Sequence, residues 1–207
     1  MKVYQEITIL PSEEIELYFM WEKLYQQLHL ILVENLNEKG KSNISVSFPK
    51  YRQDKRWLGD KLRLFAESEH LLDTLNLSEK LARLSDYIHI TSIRDVPNSV
   101  SGYAFFKRLN DKSNKEKLAR RRAKRLNISF DEALAYFKSN KERLQPKRAL
   151  IQYPFISMTS LSTGNKYPIT IIREETEALI YGEGFSTYGL SSDTTDSNLN
   201  SSVPIFN

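Results

Sequence analysis

Cysteine is absent from the 207-residue chain. That single absence removes disulfide frameworks, thiolate metal sites and cysteine nucleophiles, and it suits a reducing compartment. Histidine is almost as scarce, with only His29, His70 and His89. No window approaches the ~18 consecutive apolar residues of a membrane-spanning helix. The segment from Met1 to Glu14 also lacks the continuous apolar stretch of a signal peptide. A soluble, cytoplasmic protein with no membrane association is expected. The chain has no Gly-rich phosphate loop of the Walker or dinucleotide type and no His/Cys cluster at ligand spacing. Glu174, Glu175 and Glu177 form a small acidic group that reads as a surface turn. Neither a metal nor an organic cofactor is expected, and no internal repeat is visible.

What is present is a core and a concentration of positive charge. Hydrophobic residues make up 40% of the chain, enough to bury a sizeable core without covalent staples. The formal net charge is only +4, but its distribution is uneven. Ten basic residues and two acidic ones (Asp111, Glu116) lie between Lys107 and Arg125, so that stretch is +8 and the remainder −4. Charge gathered in one place on an otherwise slightly acidic chain points to one polyanion-binding surface.

The first 97 residues read as a βαββαβ unit. Tyr4 to Leu10 alternates like a strand, with Tyr4 and Glu6 on one face. A long helix follows from Pro11-Ser12, with Ser12 as N-cap and Glu13 and Glu14 at its positive end. Further strands are read at Asn43 to Phe48, Lys61 to Phe65 and Tyr87 to Arg94. Two short helical stretches fall at Glu67 to Leu77 and Ser78 to Leu84. This order fits a ferredoxin-like (RRM-like) split βαβ fold. Pro97-Asn98-Ser99 marks the boundary, giving domains of residues 1–97 and 98–207. The fold class is therefore α+β, with a C-terminal α+β domain that carries an arginine-rich helix. In that second part Gly102 to Leu109 reads as a strand, Asn114 to Leu126 as the basic helix and Ser129 to Ser139 as another helix. A basic turn follows (Lys141, Arg143, Lys147 and Arg148 around Pro146). Strand-like segments run from Leu150 to Met158, Lys166 to Arg173 and Glu177 to Tyr181. Ser191 to Ser202 reads as a mobile loop, and Val203-Pro204-Ile205-Phe206 as a tail that docks back.

At ~100° per helical residue, Ala119, Ala123 and Leu126 share one arc of the basic helix, with Leu118 beside it. Lys117, Arg120, Arg121, Lys124 and Arg125 fill the opposite arc. A merely solvated face would mix charge signs at i,i+4; this one holds no acid and suits a nucleic-acid groove. Arg122 projects toward the apolar side and is expected to pack. In the first helix Leu17, Trp21, Leu24, Leu28 and Ile31 form the core stripe. His29 lies about 100° from that stripe, on a face free to line a cleft.

The chain resembles the type I-F CRISPR repeat-processing endoribonuclease family nearly end to end. The resemblance is carried by Leu28-His29-Leu30-Ile31-Leu32-Val33, Val46-Ser47-Phe48-Pro49 and Lys112-Ser113-Asn114 ahead of the arginine-rich helix. It continues through Ser160-Leu161-Ser162-Thr163-Gly164, Gly184-Phe185-Ser186-Thr187-Tyr188-Gly189-Leu190-Ser191 and Val203-Pro204. It implies metal-independent cleavage of CRISPR precursor RNA at the 3′ base of the repeat hairpin, leaving a 2′,3′-cyclic phosphate. The product stays bound, and the protein then joins the other subunits of the type I-F interference complex. By the same resemblance His29 is the general base, Ser160 holds the attacking 2′-OH, and Tyr188 orients one of them. Ser162 and Thr163 contact the scissile phosphate. Arg108 pairs with a guanine, and Tyr167 stacks on the terminal base pair. Asn110 stands where the family commonly has glutamine contacting an adenine, and is one methylene shorter. Lys112, Lys117, Arg120, Arg121, Lys124 and Arg125 contact the RNA backbone. The alternative is a non-catalytic hairpin-binding subunit on the same fold.

Overall fold

The computed structural model describes residues 1–109, 115–139, 153–192 and 200–206. Asn110, Lys112, the basic turn around Pro146 and most of the segment from Ser191 to Ser202 lie outside the described residues. The molecule is α+β, built on two antiparallel sheets.

Strand β1 (Val3–Ile9) buries Ile7 and Ile9 on one face and sets Tyr4 and Glu6 on the other, as period-2 alternation requires. It is flanked by β3 (Lys61–Ala66) and by β4 (Ile88–Ile90); β2 (Ser45–Ser47) lies outside β3, giving the order β2-β3-β1-β4. The two-residue β5 (Arg94–Asp95) also pairs with β1. Helix α1 (Leu17–Glu34) connects β1 to β2, and its buried face includes Trp21, Leu24, Tyr25, Leu28, Ile31 and Leu32. Two short helices, α2 (Glu69–Asp73) and α3 (Leu77–Lys80), and a 3₁₀ turn at Ala82–Leu84 join β3 to β4.

Ser12 does not cap α1. Its Oγ accepts the Glu14 and Ile15 backbone N–H groups, both at 3.2 Å, and so closes a separate turn. Glu16 is then extended (φ −71°, ψ 144°), and the helix begins only at Leu17. Tyr25, one turn before His29 and outside the stripe read from the sequence, is buried as well.

The second sheet has the order β7-β8-β6-β9. Its strands are β6 (Gly102–Leu109), β7 (Phe155–Thr159), β8 (Lys166–Thr176) and β9 (Val203–Ile205). The expected strand from Glu177 to Tyr181 does not form. That segment is held instead by serine hydroxyls: Ser202 Oγ accepts the Ile180 N–H at 2.8 Å, and Ser201 Oγ accepts the Gly182 N–H at 3.0 Å. The tail takes the ladder position as β9, docking back on β6. Between β6 and β7 lie α4 (Lys115–Leu126) and α5 (Phe130–Ser139), which pack on each other through the buried Ala119 and Ala133. Asn127 takes a left-handed conformation (φ 52°) that ends α4. Ser129 Oγ then accepts the Glu132 N–H at 3.1 Å and caps α5.

Both sheets contribute to one continuous core, which includes Ile7, Leu24, Leu64, Phe106, Ile156, Ile169 and Val203. Among the described residues no helix is long and apolar enough to cross a membrane.

The tail also closes the first sheet. Phe206 packs on Tyr4 and Phe65, with ring centroids 5.0 and 6.1 Å away. Arg63 lies beneath it, donating to the Phe206 carbonyl and to Glu6, each at 2.6 Å, while Lys61 reaches the other Glu6 oxygen. Burial pushes the Glu6 carboxyl up, but the hydrogen bonds and charges of Lys61 and Arg63 outweigh it and hold it below the usual carboxylate range. Removing one partner of a buried pair costs about 3–5 kcal/mol, because the other charge stays buried. Arg63→Ala should therefore lose at least about 3 kcal/mol in urea denaturation. The Glu6 contribution should be full at neutral pH and fade as pH falls through its depressed pKa.

Candidate active site

The site lies where α1 meets the second sheet and the loop that follows it. Three side chains on one side of α1 reach across: Glu22 accepts from Lys166 Nζ at 3.2 Å, Gln26 Oε1 accepts the Thr159 N–H at 3.0 Å, and His29 Nδ1 lies 2.9 Å from the Thr187 carbonyl. Their spacing of four and three residues puts them on neighbouring turns of one face.

The contact at His29 has a chemical consequence. A carbonyl oxygen can only accept, so Nδ1 must carry the proton. In the neutral imidazole the lone pair then resides on Nε2. The Tyr188 ring stacks on this imidazole, with centroids 4.2 Å apart and planes at 14°.

The loop presenting Thr187 and Tyr188 is fixed from several directions. Tyr25, buried under α1, donates its hydroxyl to the Tyr188 carbonyl at 2.9 Å. The Gly189 carbonyl accepts the Val46 N–H at 2.9 Å, and Phe185 and Ser42 exchange backbone hydrogen bonds. Gly189 has φ +69°, and a Cβ there would stand 2.7 Å from Val46 Cγ1. Only glycine meets both conditions, which explains the Tyr-Gly-Leu sequence physically.

Tyr188 and Tyr167 share a hydroxyl–hydroxyl hydrogen bond of 3.1 Å. The Arg108 guanidinium lies 5.6 and 5.5 Å from their ring centroids. Burial, then the Tyr167 hydroxyl, push the Tyr188 phenol up, Arg108 opposes them, and the result is about 12. Tyr188 is therefore a neutral phenol at physiological pH and not a base.

Ser160, Ser162 and Thr163 occupy the tip of the β7–β8 hairpin. The tip is closed by Ser160 N–H to the Asn165 carbonyl at 2.9 Å and Gly164 N–H to the Ser160 carbonyl at 2.7 Å. The Ser160 and Ser162 hydroxyls lie 3.2 Å apart, and Thr163 Oγ1 accepts the Asn165 N–H at 3.4 Å. Among the described residues no hydrogen bond joins Ser160 to His29; both are referred to α1, Ser160 through its neighbour Thr159.

The structure thus gathers His29, Tyr188, Tyr167 and Arg108 into one cluster, with the serine hairpin tied to the same helix. Arg120, Arg121, Lys124 and Arg125 are exposed on α4. Arg122 packs over Tyr136, 3.7 Å from the ring centroid, as its helical angle suggests. Leu126, assigned to the apolar arc of that helix, is instead exposed (46%) at its last turn. Lys117 lies within α4, and nothing is described of its side chain. His70 and His89 are exposed. Among the described residues no three His, Asp or Glu side chains group closely enough to hold a metal. Sequence reasoning missed Tyr25, Gln26 and the Thr187 carbonyl. A backbone acceptor has no sequence signal, and nothing in the helical pattern sets Tyr25 or Gln26 apart.

The family described as CRISPR-associated protein (Cas_Csy4) matches residues 4–206. The chain is 29% identical over 196 residues, 94% of its length and 98% of the relative's, to the CRISPR-associated endonuclease Cas6/Csy4 of Escherichia coli (strain UTI89 / UPEC). To the CRISPR-associated endonuclease Cas6/Csy4 of Pseudomonas aeruginosa (strain UCBPP-PA14) it is 29% identical over 191 residues, 92% of this chain and 96% of the other.

The phenol cluster predicts opposite shifts for two variants. Tyr167→Phe removes a hydroxyl that raises the Tyr188 pKa and should lower it; Arg108→Ala removes a nearby cation and should raise it. Tyrosine-labelled NMR titration across the alkaline range reads both, and shifts of the same sign would contradict the arrangement.

Proposed function

Since the chain belongs to the Csy4 family of CRISPR-associated proteins, we propose that it is an endoribonuclease that cuts CRISPR precursor RNA at the 3′ base of the repeat hairpin without a metal. The observation that carries this reading is the His29 imidazole, with Nδ1–H committed to the Thr187 carbonyl and Nε2 left as a base.

In the proposed reaction Nε2 takes the proton of the ribose 2′-OH, and the 2′ oxygen attacks the adjacent phosphorus. The bond from phosphorus to the 5′ oxygen of the next nucleotide breaks, that oxygen leaves as a hydroxyl with a proton from water, and the imidazolium returns its own proton to solvent. The products are a 2′,3′-cyclic phosphate and a 5′-hydroxyl. Ser160 holds the 2′-OH in line, and Ser162 and Thr163 donate to the phosphate. Tyr188, neutral and stacked on the imidazole, fixes the plane of the base.

Arg108 reads a guanine edge and Tyr167 caps the terminal base pair. The Arg120, Arg121, Lys124 and Arg125 face of α4, with Lys117, follows the phosphates of the hairpin. Asn110 and Lys112 precede that helix and extend the contact. The product hairpin stays bound, and the protein becomes a subunit of the interference complex in the cytoplasm. Residues 1–97 are assigned to a ferredoxin-like unit, supported by the sheet order β2-β3-β1-β4 and the α1 crossover, and residues 98–207 to the RNA-binding unit.

The test is incubation with the genomically adjacent repeat RNA in EDTA, beside His29→Ala and an RNA carrying 2′-deoxyribose at the cut. The native pair should give a cyclic-phosphate product. His29→Ala should be slower by about 10²–10⁴-fold, the usual share of a general base, and the deoxy substrate should not be cut. Tight hairpin binding without cleavage would instead make the protein a binding subunit.

A further inference from the structure

A cavity of ≈ 640 Å³ opens beside the serine hairpin, between α1, α3 and the 3₁₀ turn, and none of the roles assigned above uses it. Its rim includes Thr159 and Leu161, the two neighbours of Ser160. Its floor is the flank of α1 that carries Lys23, Gln26 and Gln27, and Arg83 stands on the far wall.

The helix geometry makes this a path away from the site. His29, Gln26 and Lys23 are three residues apart, so each step moves about 4.5 Å along the axis and about 60° around it, in the same sense. Tyr188, which stacks on the imidazole, lies in the Arg108–Tyr167 cluster assigned to the hairpin. The other flank turns from His29 past the Ser160 tip into the cavity.

The lining suits an unpaired polynucleotide. Among the described residues neither Lys23 nor Arg83 has an ion-pair partner, and the Lys23 ammonium rests 4.8 Å from the Phe19 ring centroid. The carboxylates that also line the cavity are engaged: Glu22 by Lys166, and Glu79 by the Asn76 amide. Lys80 is paired with Glu34. Leu161 is 72% exposed at the rim and Phe19 41% exposed beside Lys23. Free cations interleaved with exposed apolar faces and side-chain amides are what single strands use for phosphates and base stacking.

We propose that this cavity is the subsite for the single-stranded RNA that continues 3′ of the scissile phosphate. The inference rests on the hairpin-cleavage reading above. A cut at the 3′ base leaves the hairpin on one side of Ser160 and only the outgoing strand on the other.

The experiment measures binding of hairpin RNAs made uncleavable by 2′-deoxyribose at the cut. One carries a single nucleotide beyond the cut, one carries about ten, and one carries the same extension at its 5′ end; about ten spans a usual single-strand site. For the native protein the 3′ extension should tighten binding roughly tenfold over the short hairpin, within the range of one or two stacked bases. The double variant K23A/R83A should lose that gain and bind the short hairpin as the native protein does. Equal affinity of the native protein for long and short RNAs would overturn the proposal. So would an equal gain from the 5′ extension, or a variant that weakens all three RNAs alike. If the native protein bound none of the RNAs, the hairpin reading would fail first and the subsite with it.

Discussion

Everything at this site is referred to the contact between α1 and the loop of residues 184–191. The contact rests on a hydrogen bond from His29 Nδ1 to the Thr187 carbonyl, made in a half-buried setting under the Tyr188 ring. A ring nitrogen on a mobile loop would sample several partners. Here the acceptor is a backbone atom, and the backbone is held by Tyr25 from below, by Val46 from the first sheet and by a glycine turn packed against a valine methyl. The imidazole therefore inherits its tautomer and its plane from the fold itself. The two sheets and their shared core bring a residue from the first thirty positions and a loop from the last twenty-five within hydrogen-bond distance.

The electrostatics divide the surface in the same way. The long run of cations is displayed on α4, where the exposed Arg120, Arg121, Lys124 and Arg125 can follow a polyanion with little desolvation. Around His29 stand the Thr187 carbonyl and the neutral Tyr188 phenol, and among the described residues Arg108 is the cation over the Tyr167 and Tyr188 rings. The proposed role of His29, a neutral base beside a negatively charged phosphodiester, suits such a setting. Lysines packed against the imidazole would disfavour its protonated form, and carboxylates would repel the substrate.

Much of this was legible in the sequence, and the failures have physical causes. The strand from Gly102 to Leu109 and the basic helix were read almost to the residue, because alternation and charge periodicity are strong local signals. Arg122 was read correctly as packing. The start of α1 was misplaced because Ser12 does satisfy backbone N–H groups, but those of a turn that ends at an extended Glu16. The segment from Glu177 to Tyr181 has strand-like composition, and only the tertiary structure shows that the Ser202 hydroxyl, not a ladder, receives the Ile180 N–H, with Ser201 receiving that of the adjoining Gly182. Ser201 and Ser202, within a stretch read as loop, are buried for that reason. Helical phase put His29 off the core stripe and resemblance gave it the role of a base, whereas its partner is a carbonyl, which no sequence pattern reveals. The roles of Ser160 and Tyr188 came from resemblance and that of the arginine face from charge and helical phase; the structure adds where they stand.

The most direct test of the account is the ¹⁵N NMR spectrum of histidine-labelled protein above the pH at which imidazoles are protonated. With three histidines in the chain, the His29 signals are assigned by their loss in His29→Asn. The account predicts a protonated Nδ1 and an unprotonated, pyridine-like Nε2 at His29. A His29 ring protonated on Nε2 instead would contradict it, because the nitrogen proposed to take the 2′-OH proton would already carry one.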